Sequence, residues 1–181
     1  EGKWVESTRD LGREPRDRVI GSIGFGNICT EAFRLLSGFG VGHLLAYDPF
    51  VSPDTIRTEG VEPVSLEDIF RRSDYVLINC PLTPGTRKLV GAAQLALMKP
   101  TAFLINTARG PIVDEAALVE VLRERRIAGA ALDVFETEPL PLESPLRQVP
   151  NAILTPHMAG HTRETDARLP VGLLENIEQV L

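Results

Sequence analysis

The sequence predicts an α/β protein built on a doubly wound, parallel β-sheet. Three observations predict it. Short apolar runs alternate along the chain with segments whose apolar residues recur at helical spacing. Those runs are apolar throughout rather than at every second residue, as strands covered on both faces must be. Each is followed closely by glycine, asparagine, aspartate or proline, residues that turn a chain out of a sheet.

The elements follow in order. Residues 1–17 are polar, contain Trp4, and are read as a lead-in helix or arm. Val19–Ile23 is the first strand. Asn27–Phe39 has Ile28, Ala32, Leu35, Leu36 and Phe39 at helical spacing and closes at Gly38 and Gly40. His43–Tyr47 is the second strand, ended by Asp48-Pro49. Ser65 opens a helix as its N-cap, with Asp68 in the place of the usual capping-box glutamate, and the helix ends near Arg72. Tyr75–Asn79 is a third strand, halted by Pro81 and Pro84. Gly91–Met98 is a short helix stopped by Pro100, and Ala102–Asn106 a fourth strand. Asp114–Arg125 is amphipathic, with Ala117, Leu118, Val121 and Leu122 on one face. Ala130–Val134 and Ala152–Leu154 are strands five and six, and Arg168–Leu181 is a closing helix. The proline-rich stretch 136–150 is a long loop of the kind that carries function. The division expected is a lead-in at 1–17, a ligand-binding domain at 18–166 and the start of a returning helix at 167–181.

Composition narrows the partners. The net charge of −6 argues against a nucleic-acid or anionic-membrane surface. The two cysteines, Cys29 and Cys80, form no Cys-x-x-Cys pattern, so neither a disulfide framework nor a metal site is expected. No signal peptide or apolar run of membrane-spanning length is seen, which leaves the cytoplasm as the default location.

The turn after the first strand reads Gly24-Phe-Gly26-Asn-Ile-Cys29, a G-x-G-x-x-G pattern with its last glycine replaced. Gly24 permits a tight turn and Gly26 lets backbone approach a pyrophosphate. The helix beginning at Asn27 then points free N–H groups at that anion. Cys29 stands where helix packs on strand, so a slightly displaced helix and a weakened site are expected. Asp48 ends the second strand, 22 residues after Gly26, where a carboxylate accepts hydrogen bonds from an adenosine ribose. Its charge would repel a 2′-phosphate, which predicts NAD over NADP. Polar residues also follow the later strands: Thr107, Ala108 and Arg109 after the fourth, Asp133 and Glu138 after the fifth, His157 after the sixth. Spacing alone does not show that they meet.

Ile105-Asn-Thr-Ala-Arg-Gly110, Gly129-Ala-Ala-Leu-Asp-Val-Phe135 with Glu138-Pro139, and Thr155-Pro-His157 resemble signatures of the D-isomer-specific 2-hydroxyacid dehydrogenases. Asn79-Cys-Pro-Leu-Thr83 with Thr86-Arg87 fits the same family, and the resemblance runs from about Arg18 to Asn176. It implies a Rossmann-type NAD-binding domain. It also implies that Arg109 holds a substrate carboxylate, that His157 is the acid/base, and that Glu138 orients His157. Asp133 would receive the nicotinamide carboxamide. Ile28, Cys80, Pro81, Thr86, Thr107, Ala108 and Gly160 would join Gly24, Gly26, Asn27 and Asp48 around the cofactor. The substrate would be a small 2-oxo or 2-hydroxy acid, and the assembly a homodimer through this domain. Family members resemble two-domain proteins, so a fragment with the substrate domain largely absent is expected. Two competing readings remain: a cofactor-sensing corepressor on the same fold, which would carry tryptophan where Gly160 stands, and an inactive cofactor-binding protein.

Overall fold

The computed structural model describes residues 13–178. Its sheet has seven strands in the order β3-β2-β1-β4-β5-β6-β7. They are β1 (Val19–Ile23), β2 (His43–Tyr47), β3 (Glu62–Pro63), β4 (Tyr75–Ile78), β5 (Phe103–Asn106), β6 (Gly129–Leu132) and β7 (Ala152–Leu154). Every neighbouring pair is parallel. The doubly wound reading therefore holds, with one strand more than expected. β3 is a two-residue edge strand paired with Leu45 and Ala46 of β2. It is too short to show a pattern, and Pro63 is tolerated there because an edge strand leaves N–H groups unpaired.

Alternate residues of the strands enter two separate cores. Ile20, Ala46 and the partly buried Tyr75 and Leu77 pack with Phe25, Cys29, Phe33 and Ile56 on one face. Ile23, Leu45, Val76, Ile78 and Leu104 pack with Phe70, Leu95, Leu118 and Leu122 on the other. This period-two division is what covering both faces of a sheet requires.

Among the described residues five α-helices connect strands, α1 (Asn27–Ser37), α2 (Pro53–Thr58), α3 (Leu66–Arg72), α4 (Ala92–Leu95) and α5 (Glu115–Arg123), and α6 (Arg163–Glu178) follows β7. α2 was not expected, although its start is encoded: the Ser52 hydroxyl accepts the Thr55 N–H at 3.2 Å and Pro53 occupies the first turn. Ser65 caps α3 as expected. Its hydroxyl accepts the Asp68 N–H at 3.1 Å and donates to Asp68 Oδ2 at 2.7 Å, so the short acid closes the box on the hydroxyl. Asp114 caps α5 through the Ala117 N–H at 3.3 Å.

One expected boundary needs correction. α6 starts at Arg163 rather than Arg168, because Thr162 accepts the Thr165 N–H at 3.0 Å and caps it earlier. The division expected between 166 and 167 thus falls inside its first turns. Of the lead-in helix or arm, the described residues 13–17 are non-helical and end in a turn, with Arg13 donating to the Thr101 carbonyl at 3.3 Å. The rest of the lead-in, including Trp4, lies outside the described residues. Among the described residues no helix is long and apolar enough to cross a membrane.

Candidate active site

In a parallel sheet all carboxyl ends lie along one edge, and the strand order reverses between β1 and β4. At that reversal Gly24 turns the chain with φ +96°, a conformation that glycine adopts without strain. A Cβ there would lie 2.7 Å from the Cys80 backbone nitrogen and 2.8 Å from the Asn79 carbonyl carbon. The buried Ser22 hydroxyl donates to the Gly24 carbonyl at 2.7 Å and accepts from Asn79 Nδ2 at 3.0 Å, tying the two turns together.

Gly26 is different. Its φ is −104°, which any residue adopts, and a Cβ there would meet nothing within 4 Å. The protein's own packing does not require this glycine, whereas a ligand lying against the turn would. The space faces Asn27 and Ile28 at the exposed start of α1, where the first helical N–H groups have no carbonyl partners. Gly24, Asp48, Cys80, Pro81 and Thr86 line a cleft of about 430 Å³, together with Tyr47, Pro49, Phe50, Thr83, Gly85 and Leu89. These features fit a bound dinucleotide.

Asp48 stands at the end of β2 as expected, with a second task that spacing did not reveal. Its Oδ2 accepts the Phe25 N–H of the glycine turn, and its Oδ1 the Phe50 N–H, each at 2.9 Å. Thr86 Oγ1 accepts the Thr83 N–H at 2.8 Å and donates to the Pro81 carbonyl at 2.7 Å, shaping the cleft wall from within. Cys29 is fully buried among Phe25, Phe33 and Ala46. The Thr30 N–H still reaches the Gly26 carbonyl at 3.0 Å, so α1 begins regularly beside the larger side chain. Burial raises the Cys29 thiol to about 11, only partly opposed by the Ser22 hydroxyl, so it stays neutral.

The second group forms where β5, β6 and β7 end. Asn106, buried at the end of β5, accepts the Ala108 N–H on Oδ1 and donates from Nδ2 to the Arg109 carbonyl, both at 3.0 Å. This curls Thr107, Ala108 and Arg109 into a turn and leaves the Arg109 side chain exposed. Gly110 follows, where a Cβ would lie 1.9 Å from the Phe135 carbonyl carbon. Only glycine lets the β5 turn seat against the β6 loop. Within that loop Glu138 Oε1 accepts the Phe135 N–H at 2.9 Å, and Glu138 Oε2 meets His157 Nδ1 at 2.7 Å. The His157 bond holds the Glu138 carboxyl below the usual glutamate range, against partial burial and with help from the Phe135 N–H and the Arg109 charge. Glu138 and His157 therefore meet directly, and the exposed Arg109 lies near enough for its charge to act on Glu138.

Asp133 has work within the protein itself. It is 4% exposed, and its carboxylate is engaged by the protein itself. Oδ1 accepts the Thr155 hydroxyl and the Met158 N–H, and Oδ2 the Ala159 N–H, the last two at 2.8 Å. Its backbone carbonyl accepts the His157 N–H at 2.8 Å. Burial works to raise this carboxyl, but the three bonds and the His157 charge outweigh it and the net shift is downward. Asp133 is first the anchor of the loop carrying His157, which sits at φ +57°, an unfavourable conformation that needs such anchoring. Of the roughly four acceptor positions on a carboxylate, about one is left for a ligand. Gly160 lies beyond this loop, exposed, and a Cβ there would meet nothing within 4 Å. His161 pairs with Asp166 on the surface at 3.1 Å.

Comparison with known proteins identifies the domain. Residues 1–159 match the family model described as the NAD-binding domain of D-isomer specific 2-hydroxyacid dehydrogenases. The chain belongs to that family. It is 41% identical over 180 residues to a glyoxylate reductase of Korarchaeum cryptofilum, covering 98% of this chain and 54% of that protein. It is also 41% identical over 181 residues to a D-3-phosphoglycerate dehydrogenase of Synechocystis, covering 100% of this chain and 32% of that protein. Among solved structures, an acyclic imino acid reductase in complex with NADPH and D-Arg aligns with a TM-score of 0.86. That alignment has 30% identity and covers 96% of this chain and 54% of the other. The chain thus spans about half, or less, of the length of these relatives. The part it spans is an NAD-binding domain, and the rest of their length has no counterpart among these residues.

Proposed function

We propose that this domain serves hydride transfer between NAD(H) and a D-2-hydroxy acid/2-oxo acid pair. The observation that carries the proposal is the 2.7 Å bond between His157 Nδ1 and Glu138 Oε2, within the field of Arg109. An ionised glutamate only accepts hydrogen bonds, so the Nδ1 proton belongs to His157 and its Nε2 is left to exchange a proton with substrate. Glu138 fixes the ring's orientation and stabilises the imidazolium. In the reductive direction His157 donates a proton to the 2-oxo oxygen, and in the oxidative direction it takes one from the hydroxyl. Arg109 offers a forked set of donors that suits a substrate carboxylate and polarises the adjacent carbonyl. Gly24, Gly26, Asn27 and Ile28 would hold the pyrophosphate side of the cofactor and Asp48 its ribose. Thr107, Ala108, Asp133 and Gly160 surround the nicotinamide side in this reading. The bound nicotinamide supplies or accepts the hydride.

The Asp48 carboxylate in the cleft supports a preference for NAD, since a 2′-phosphate there would meet a like charge. A homodimer is supported by the sheet face over β5 to β7, where Ile153 is 68% exposed beside Phe103 and Ala131. A cytoplasmic location is supported by two cysteines that are both free. The test of the function is NADH and NADPH consumption, by the protein carrying this domain, against a panel of 2-oxo acids. Turnover of a 2-oxo acid with NADH above NADPH is expected. Tight NADH binding with no turnover across the panel would overturn the enzymatic reading.

A further inference from the structure

α5 begins with two acids that behave differently. Asp114 caps the helix through the Ala117 N–H and is also approached by Lys88 at 3.4 Å. Glu115, the next residue, turns its carboxylate away from the helix start to another loop. It is half-buried, and its carboxylate accepts the Glu136 N–H in the loop after β6. No lysine or arginine pairs with it among the described residues. Burial raises its carboxyl above the usual glutamate range, and the neighbouring Glu136 and Glu138 charges add to that, only partly offset by the Glu136 N–H. An acid placed at a helix start for its charge alone gains most when solvated and free of like neighbours. Glu115 sits where that explanation is weakest.

The loop it reaches is the one that presents Glu138. Phe135 donates its N–H to Glu138, Glu136 donates the next N–H to Glu115, and the Phe135 carbonyl abuts Gly110. Lys88, 3.7 Å from Glu136, steadies the same loop from outside. Two consecutive N–H groups are thus clamped by carboxylates from two directions. We propose that Glu115 is a positioning residue, which fixes the Phe135–Glu138 loop so that Glu138 meets His157. The proposal rests on Glu138–His157 being the acid–base pair.

A displacement near 1 Å at a reacting group costs about one to two orders of magnitude in rate. Glu115→Ala is therefore expected to lower kcat about tenfold while KM and the Kd for NADH stay within about twofold. Glu115→Gln keeps an acceptor for the Glu136 N–H and is expected to restore kcat to within about threefold of wild type. Amide hydrogen exchange supplies a second readout on the isolated chain. Glu136 should lose protection in Glu115→Ala and keep it in Glu115→Gln, with global melting little changed in both. Carboxylate NMR supplies a third: Glu115 should titrate above the usual glutamate range, and Glu138→Gln should lower its midpoint. The charged groups that face Glu115 are Glu136 and Glu138, with Asp114 beside it in the chain and Lys88 against Asp114 and Glu136.

Wild-type kcat in Glu115→Ala, beside a strong loss in Glu138→Ala and His157→Ala, would overturn the inference and leave the acid–base pair standing. Unchanged turnover in Glu138→Ala and His157→Ala would remove the pair and the inference together. If Glu115→Gln is as slow as Glu115→Ala, the hydrogen bond is not what Glu115 provides.

Discussion

The two halves of the sheet's carboxyl edge are built by different means. Around β1, β2 and β4 the site is mostly backbone: a left-handed glycine, a glycine with open space, the start of α1 and one aspartate. Around β5, β6 and β7 it is mostly side chains held by other side chains: Asn106 under Arg109, Asp133 under His157, Glu138 against both His157 and the Phe135 N–H. The first half suits a ligand that is always the same, since a backbone turn offers N–H groups whatever the flanking side chains are. The second half holds groups that move protons, and these need fixed orientation and tuned charge.

The two glycines that flank these halves separate the designs most sharply. Gly110→Ala should have the largest effect, because its Cβ would overlap the Phe135 backbone rather than a side chain able to swing away. Overpacking of this kind costs about 3 kcal/mol, and chemical denaturation should show the loss along with a failure to turn over. Asp133→Asn should come next. It weakens a buried, multiply bonded anchor and should destabilise by about 2 kcal/mol. Its pH signature has a definite sign. The folded carboxyl lies below the unfolded value, so its stabilisation is complete above about pH 4 and is lost as pH falls through the lower folded value. Wild-type stability should therefore fall more steeply than that of Asp133→Asn below about pH 4. Gly26→Ala should have the smallest effect on folding, under about 0.5 kcal/mol, since nothing lies near the added methyl. It should still weaken NADH binding about tenfold, near 1.4 kcal/mol. A stability loss in Gly26→Ala as large as in Gly110→Ala would erase the distinction between the halves.

The same division explains what was legible in the sequence. The glycine turn, the apolar strands and the cap at Ser65 are local, and local spacing reveals them. β3 escaped because two residues at an edge carry no periodicity. α2 carries only the Ser52-Pro53 start and six residues, too few for helical spacing to show. The work of Asp133 could not be read, because its partners Thr155, Met158 and Ala159 lie 22 to 26 residues further along the chain. Glu115 and Glu136 are separated by 21 residues, and no motif links them. Arg109, Glu138 and His157 stand out only through the order of whole motifs, and the parallel sheet brings the ends of the three strands that carry them to one edge.

The central claim is that His157, held by Glu138, moves the proton. It is tested most directly by comparing wild type and His157→Ala in turnover of a 2-oxo acid with NADH, with NADH binding measured alongside. A fall in kcat of about a hundredfold or more with an unchanged Kd for NADH is the predicted result. Near-normal turnover in His157→Ala would contradict it.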